Sequence, residues 1–211
     1  MSCTNGDKFF HFGDLKINIH PQVYEPAEDT FLLLDAVHVK KNDFVFEIGT
    51  GTGIIALSCA QKGANVVCSD ITPYAIGLVE KNIMQNKDVL NGTIEARLGN
   101  LFSVLALDEQ FDIILFNPPY LPTGPDERID NGGWFDFSVD GGQTGLKIIT
   151  VFLKGISKHL RSDGKGYFVF STQSNKTLLT GYIDTYHLHT KVISSLSFEN
   201  ETLEIHMITK N

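Results

Sequence analysis

From Asp43 onward, short runs of β-branched and aromatic residues alternate with stretches whose apolar positions recur at helical spacing. Residues 43–48 form the first run, Asp43-Phe-Val-Phe-Glu-Ile48, and predict a strand that ends at glycine. Over residues 53–62, Ile54, Ile55, Leu57, Cys59 and Ala60 complete a helical stripe, which Gly63 ends. Asn65–Asp70 predicts the second strand, and Thr72 caps a helix with Pro73 at its first position, running to about Asn86. Thr93–Leu98 alternates apolar and polar positions as a third strand, and Phe111–Phe116 is too apolar to be exposed on either face. A helix over 145–160, a strand over 166–171 and a helix over about 175–186 follow. Residues 191–198 and 202–209 then form two adjacent strands joined by a turn at Glu199-Asn-Glu201. Upstream, residues 28–37 predict a short amphipathic helix with an acidic first turn.

Seven strands interleaved with helices specify a doubly wound α/β fold. The sheet is mostly parallel, helices cover both faces, and the terminal hairpin adds an antiparallel edge strand. We expect one domain over 1–211, with 1–40 an N-terminal segment and 41–211 the core. Ligands in such sheets sit beyond the carboxyl ends of the strands.

Composition narrows the function. The formal net charge is −8, which disfavours a nucleic-acid partner because phosphate neutralisation supplies most of that affinity. The richest basic stretch, 154–165, includes Asp163 and reads as a solvated helix end. No apolar run approaches a membrane span, and the N-terminal stretch does not pattern as a secretory signal. Cys3, Cys59 and Cys68 lack metal or disulfide spacing and read as reduced thiols of a cytoplasmic protein. The seven histidines lack ligand spacing, so no metal site is expected.

Two strand ends carry chemistry. Glu47-Ile-Gly49-Thr-Gly51-Thr-Gly53 follows the first strand and opens a helix, and Asp70 ends the second strand, placed to accept from ribose hydroxyls. The dinucleotide fingerprint GxGxxG would need glycine at position 54, where Ile54 stands, and this disfavours an oxidoreductase. The glycine spacing with Glu47 ahead of it resembles instead the S-adenosylmethionine loop of class I methyltransferases, where a carboxylate suits a sulfonium and an ammonium group.

At the end of the fourth strand, Asn117-Pro118-Pro119-Tyr120 is the most specific pattern in the chain. An amide or aniline-type nitrogen shares its lone pair with a π-system, so its NH2 must be held in line with the electrophile. The Asn117 side-chain oxygen and the Pro118 carbonyl can each accept one N–H. The two prolines fix the turn, and Tyr120 offers a flat face for stacking.

The NPPY motif with the glycine loop is similar to HemK-type protein glutamine methyltransferases and to amino-adenine DNA methyltransferases. Residues 23–34, Val-Tyr-Glu-Pro-Ala-Glu-Asp-Thr-Phe-Leu-Leu-Leu, resemble the archaeal and eukaryotic branch of the HemK-like family, as do Ser69-Asp-Ile71-Thr-Pro73 and Glu199-Asn-Glu-Thr-Leu203. The resemblance implies an N-terminal lid, Thr30 on the methionine part of the cofactor, and Ile71, Asn100 and Leu101 beside the nucleoside. Asn100 stands where the family usually has an acid. The implied substrate is the glutamine of the GGQ motif in a class I peptide chain release factor, with lysine or adenine as alternatives. A small zinc-binding activator subunit is the implied partner, with Thr93–Leu98 as the candidate pairing edge. Gly141-Gly-Gln-Thr-Gly145 matches a family GGxxG element and reads as a loop wall and helix start. In the long loop over 121–140, Trp134 reads equally well as a substrate wall or as a local core plug.

Overall fold

The computed structural model describes residues 8–124 and 133–210. The chain opens with an antiparallel hairpin, β1 (Phe9–Phe12) and β2 (Leu15–Asn18), followed by helix α1 (Glu28–Ala36). The core then runs β3 (Phe44–Ile48), α2 (Ile54–Gln61), β4 (Asn65–Asp70), α3 (Pro73–Asn86), β5 (Thr93–Leu98) and β6 (Phe111–Phe116). A short helix α4 (Trp134–Val139) and α5 (Lys147–His159) precede β7 (Leu160–Ser171), α6 (Lys176–Thr185), β8 (Leu188–Ser197) and β9 (Thr202–Lys210).

The seven-stranded sheet has the order β5-β4-β3-β6-β7-β9-β8, and β3 to β7 pair in parallel. As expected, the antiparallel member comes from the C-terminal hairpin. β9 lies against β7 and β8 is outermost. The expected strand over 166–171 extends back to Leu160, because Leu160 already pairs with Phe111 before the register shifts between Phe111 and Ile113. Thr72 caps α3 as expected, its hydroxyl accepting from Tyr74 N–H at 3.2 Å. The basic stretch does end a helix, and its Arg161 is neutralised by Asp112 at 2.7 Å.

Alternate residues of each strand feed two cores. On one face Val45, Val66 and Val169 meet α1, α2 and α3, and on the other Phe46, Ile114 and Phe168 meet α5 and α6. Helix α2 is buried on nearly every side, which explains its lack of a polar stripe. Cys59 and Cys68 are buried free thiols in the first core; Cys3 lies outside the described residues.

The N-terminal hairpin escaped the sequence reading, and its anchorage explains why. Asn82 of α3 accepts from Asn18 N–H at 2.9 Å and donates to Asn18 O at 3.2 Å. One turn on, Asn86 accepts from Lys16 N–H at 2.8 Å and donates to Lys16 O at 2.9 Å. Two residues of strand advance roughly 6.6 Å and four residues of helix roughly 6 Å, so two asparagine amides serve as a substitute strand along β2. Asn82 also donates to Thr52 O at 2.8 Å, tying the hairpin to the loop after β3.

Asn82 is fully buried. Asn82→Ala would strip partners from buried backbone groups in two segments, and we expect a loss of about 2–3 kcal/mol, measured as a lower urea midpoint at unchanged slope.

Candidate active site

The carboxyl ends of β3, β4, β5 and β6 open into one cavity of about 360 Å³, walled on the far side by Gln22–Tyr24 and by α4. Every site residue expected from the sequence lines this cavity except Gly53. Gly53 has φ +79°, and a Cβ there would lie 2.9 Å from Val79, so the close approach of α3 also demands a glycine at this position.

On one side the glycine loop is fastened to the end of β4. Gly51 N–H donates to Asp70 Oδ2 and Thr72 N–H to Asp70 Oδ1, both at 3.0 Å. Burial raises the Asp70 pKa, and these backbone hydrogen bonds oppose the rise. Glu47 is almost wholly buried, and its Oε2 accepts from Thr50 Oγ1 at 2.7 Å and from Ala56 N–H at 3.1 Å. Burial pushes this carboxyl up to about 8, against the lowering effect of those two donors. One oxygen of the carboxyl therefore shapes the loop itself, a role the sequence reading had not given it. Asn100 caps the turn over Leu101–Val104, its side chain accepting from the Ser103 N–H. Leu101 takes φ +49°, a backbone region that residues with a Cβ seldom occupy.

On the other side β6 delivers Asn117. Its Nδ2 donates to Asp29 Oδ2 at 3.0 Å. Tyr120 and Tyr24 donate their hydroxyls to the same oxygen at 3.1 and 3.2 Å. Asp29 Oδ1 accepts from Thr30 N–H at 2.6 Å and from Thr30 Oγ1 at 3.1 Å. Burial, and then the Asp29 charge, push both phenols above their ordinary range and keep them as donors. Sequence reasoning missed Asp29 and Tyr24 as site residues. The signal was the acid in the first turn of α1, read only as a partner for the helix dipole.

Three buried polar atoms lack a hydrogen-bond partner among the described residues: Thr52 Oγ1, Ser69 Oγ and Asn117 Oδ1. All three residues line this cavity. Buried polar atoms are rarely left unpaired, so their convergence marks a site built for a polar ligand. Trp134 is half-buried and lines the cavity, and α4 buries none of its residues, so the structure puts Trp134 on the wall and not in a core. Its backbone N–H donates to Gln22 Oε1 at 3.1 Å. Residues 125–132 of the long loop lie outside the described residues.

The family model for the methyltransferase small domain matches residues 16–128. The chain belongs to that family. Its relatives put it in the HemK-like branch. A protein of Methanocaldococcus jannaschii, provisionally named a protein N5-glutamine methyltransferase, is 44% identical over 71% of this chain and 73% of its own. Human methyltransferase HEMK2 is 29% identical over the full length of both. The eRF1 methyltransferase catalytic subunit mtq2 of Schizosaccharomyces pombe is 30% identical over 74% of this chain and 75% of its own. Among solved structures, the E. cuniculi Mtq2–Trm112 complex matches with TM-score 0.64 at 22% identity, covering 90% of this chain and 99% of that one. That likeness carries the fold.

The family's GGxxG element buttresses the NPPY turn. Gly141 N–H donates to Leu121 O and Thr123 N–H to Gly142 O, both at 3.0 Å. At Gly145, with φ +72°, a Cβ would meet Ser174 Oγ at 2.1 Å and Tyr120 O at 2.5 Å. Ser174 Oγ donates to that Tyr120 carbonyl at 2.7 Å. The element is thus a loop wall and the lead into α5, as its glycines implied.

The Glu47 carboxyl gives a pH test of this methyltransferase. Its pKa is raised on folding, from the ordinary 4.5 to about 8. Between those values the folded chain holds a proton that the unfolded chain has lost, so this group costs stability as pH rises. Glu47→Gln removes that cost. The gain in unfolding free energy over the parent should grow from pH 4.5 to about 8 and then level off, as followed by urea denaturation.

Proposed function

We propose that the protein transfers a methyl group from S-adenosylmethionine to the side-chain amide nitrogen of a protein glutamine, that of the GGQ motif in a class I peptide chain release factor. The observation that carries the reading is the buried oxygen of Asn117, unpartnered among the described residues; Asn117 adjoins the Pro118 carbonyl in the chain and lines the same cavity as the glycine loop. The names of the relatives support the acceptor. They include a protein N5-glutamine methyltransferase, an eRF1 methyltransferase and release factor glutamine methyltransferases.

The site suits the cofactor on its own chemistry. It combines a mostly apolar wall, buried polar atoms without a partner among the described residues and three buried carboxyls, the requirements of a nucleoside bearing a cationic amino-acid tail. Asp70 would accept from ribose hydroxyls, and Glu47 and Thr30 would hold the methionine part. Asn100, Leu101 and Ile71 would flank the base, and Gly49 and Gly51 would allow close backbone approach. When bound, this cofactor supplies a methyl group already activated on a sulfonium.

The protein's own task is to present the nucleophile. Asn117 Oδ1 accepts one N–H of the acceptor amide and the Pro118 carbonyl accepts the other. Held in this way, the nitrogen turns its lone pair toward the methyl, and the Tyr120 ring supports the planar group. The N-methylated cation is a strong acid and loses its proton to solvent, so no titrating base is required before attack.

The segment before residue 41 closes the site in this reading, since Gln22–Tyr24 and Thr30 line the cavity. We propose further that a small zinc-binding activator adds to the sheet at β5. That strand ends the sheet, and its Leu98 is 58% exposed. The E. cuniculi relative was solved as a complex, and the S. pombe relative is named a catalytic subunit. No helix among the described residues is long and apolar enough to cross a membrane, and the free buried thiols agree with a cytoplasmic setting.

Labelled S-adenosylmethionine should mark the release factor only while its GGQ glutamine is present, and Asn117→Ala should slow transfer by about 100- to 1,000-fold. Label on duplex DNA or on lysine, with none on that glutamine, would overturn the acceptor. In the activator complex, hydrogen exchange should slow at the β5 amides; slowing at β8, the opposite edge, would relocate the partner.

A further inference from the structure

A side-chain amide has two ends of nearly the same size and opposite hydrogen-bonding sense. If the Asn117 amide turned over, its NH2 would face the NH2 of the acceptor, donor against donor. The terminal torsion of asparagine is broad and does not prevent this. Something in the site must choose between the two orientations.

The neighbours of Asn117 Nδ2 are the Asp29 carboxylate at 3.0 Å and the Thr30 hydroxyl at 3.5 Å. A hydroxyl can donate or accept and so favours neither orientation. An ionised carboxylate only accepts, so it admits the nitrogen and repels the oxygen. Asp29 is in turn held fast. It is buried in the first turn of α1, where Thr30 occupies its other oxygen. The Tyr24 and Tyr120 hydroxyls crowd the oxygen that Asn117 uses. With the nitrogen engaged, Asn117 Oδ1 is left buried and unpartnered among the described residues. We infer that Asp29 is a positioning residue that locks the Asn117 amide with its oxygen toward the acceptor, acting through Asn117 and not on the cofactor.

This inference rests on the reading that Asn117 Oδ1 meets an acceptor NH2, and it predicts coupling. In the full chain with its activator, Asp29→Ala should lower single-turnover transfer about 100-fold, the scale of loss from a misplaced group. Cofactor Kd, by calorimetry, should stay within about threefold, and in an Asn117→Ala background the same change should cost less than about threefold more. Asp29→Ser, which keeps an acceptor too short to reach Asn117, should behave alike and serves if the alanine variant does not fold. A loss confined to cofactor Kd, or losses that multiply in the double variant, would overturn the inference. If the parent enzyme does not methylate the glutamine at all, the function proposed above fails, and the exchange rate of the Asn117 side-chain NH2 protons decides this inference separately. Protection that is lost in Asp29→Ala supports it, and equal protection in both proteins sinks it.

Discussion

A carboxylate taken out of water is tolerated only when its lone pairs are met by donors. Asp29 is such a group, and meeting its needs draws together segments far apart in the chain. Tyr24 arrives from the N-terminal stretch, Thr30 from the first turn of α1, and Asn117 and Tyr120 from the turn after β6. Each donor gains by pairing with the charge, and the charge gains by having all of them. One buried side chain thus fixes the wall of the site formed by the N-terminal segment to the wall formed by the sheet. Remove it, and three donors aimed at a common point lose the reason for their aim.

A second polar junction does the same for the side of the cavity formed by the glycine loop. Asn82 reads the backbone of β2 with both ends of its amide, and its Nδ2 also donates to Thr52 O in the loop after β3. The loop is held again by Asp70 through Gly51 and from beneath by Glu47 through Thr50 and Ala56. The glycines let this loop turn sharply at the cavity and pass close to α3, while the carboxyls keep it there. Flexibility in the chemistry of the backbone and rigidity in the folded site are therefore compatible.

The apolar part of the fold positions these polar junctions. The strands from β3 to β7 run in parallel, so their carboxyl ends gather at one rim, and the two cores keep that rim from shearing. Because β6 is buried on both faces, Asn117 emerges at a defined height and direction. The prolines that follow and the Ser174 bond to the Tyr120 carbonyl then carry that definition to the end of the motif.

What the sequence determined by itself was everything with a short-range cause. Strand and helix periodicity, the Thr72–Pro73 cap, the glycine loop, the acid ending β4 and the Asn-Pro-Pro-Tyr turn each act within a few residues, and the structure puts them where that logic implies. The strand order of the hairpin β8–β9, the support of β2 by a helix, the helix α4 and the Asp29 junction were decided by tertiary structure. Asp29 in one dimension is an acid in a helix's first turn, and Asn82 is a polar residue in an amphipathic helix. Only when the chain brings residues about 90 positions apart within hydrogen-bond distance does burial convert their ordinary polarity into a demand for particular partners. For the same reason the packing demand on Gly53 was not legible, because its neighbour Val79 lies in another helix and leaves no trace in local spacing.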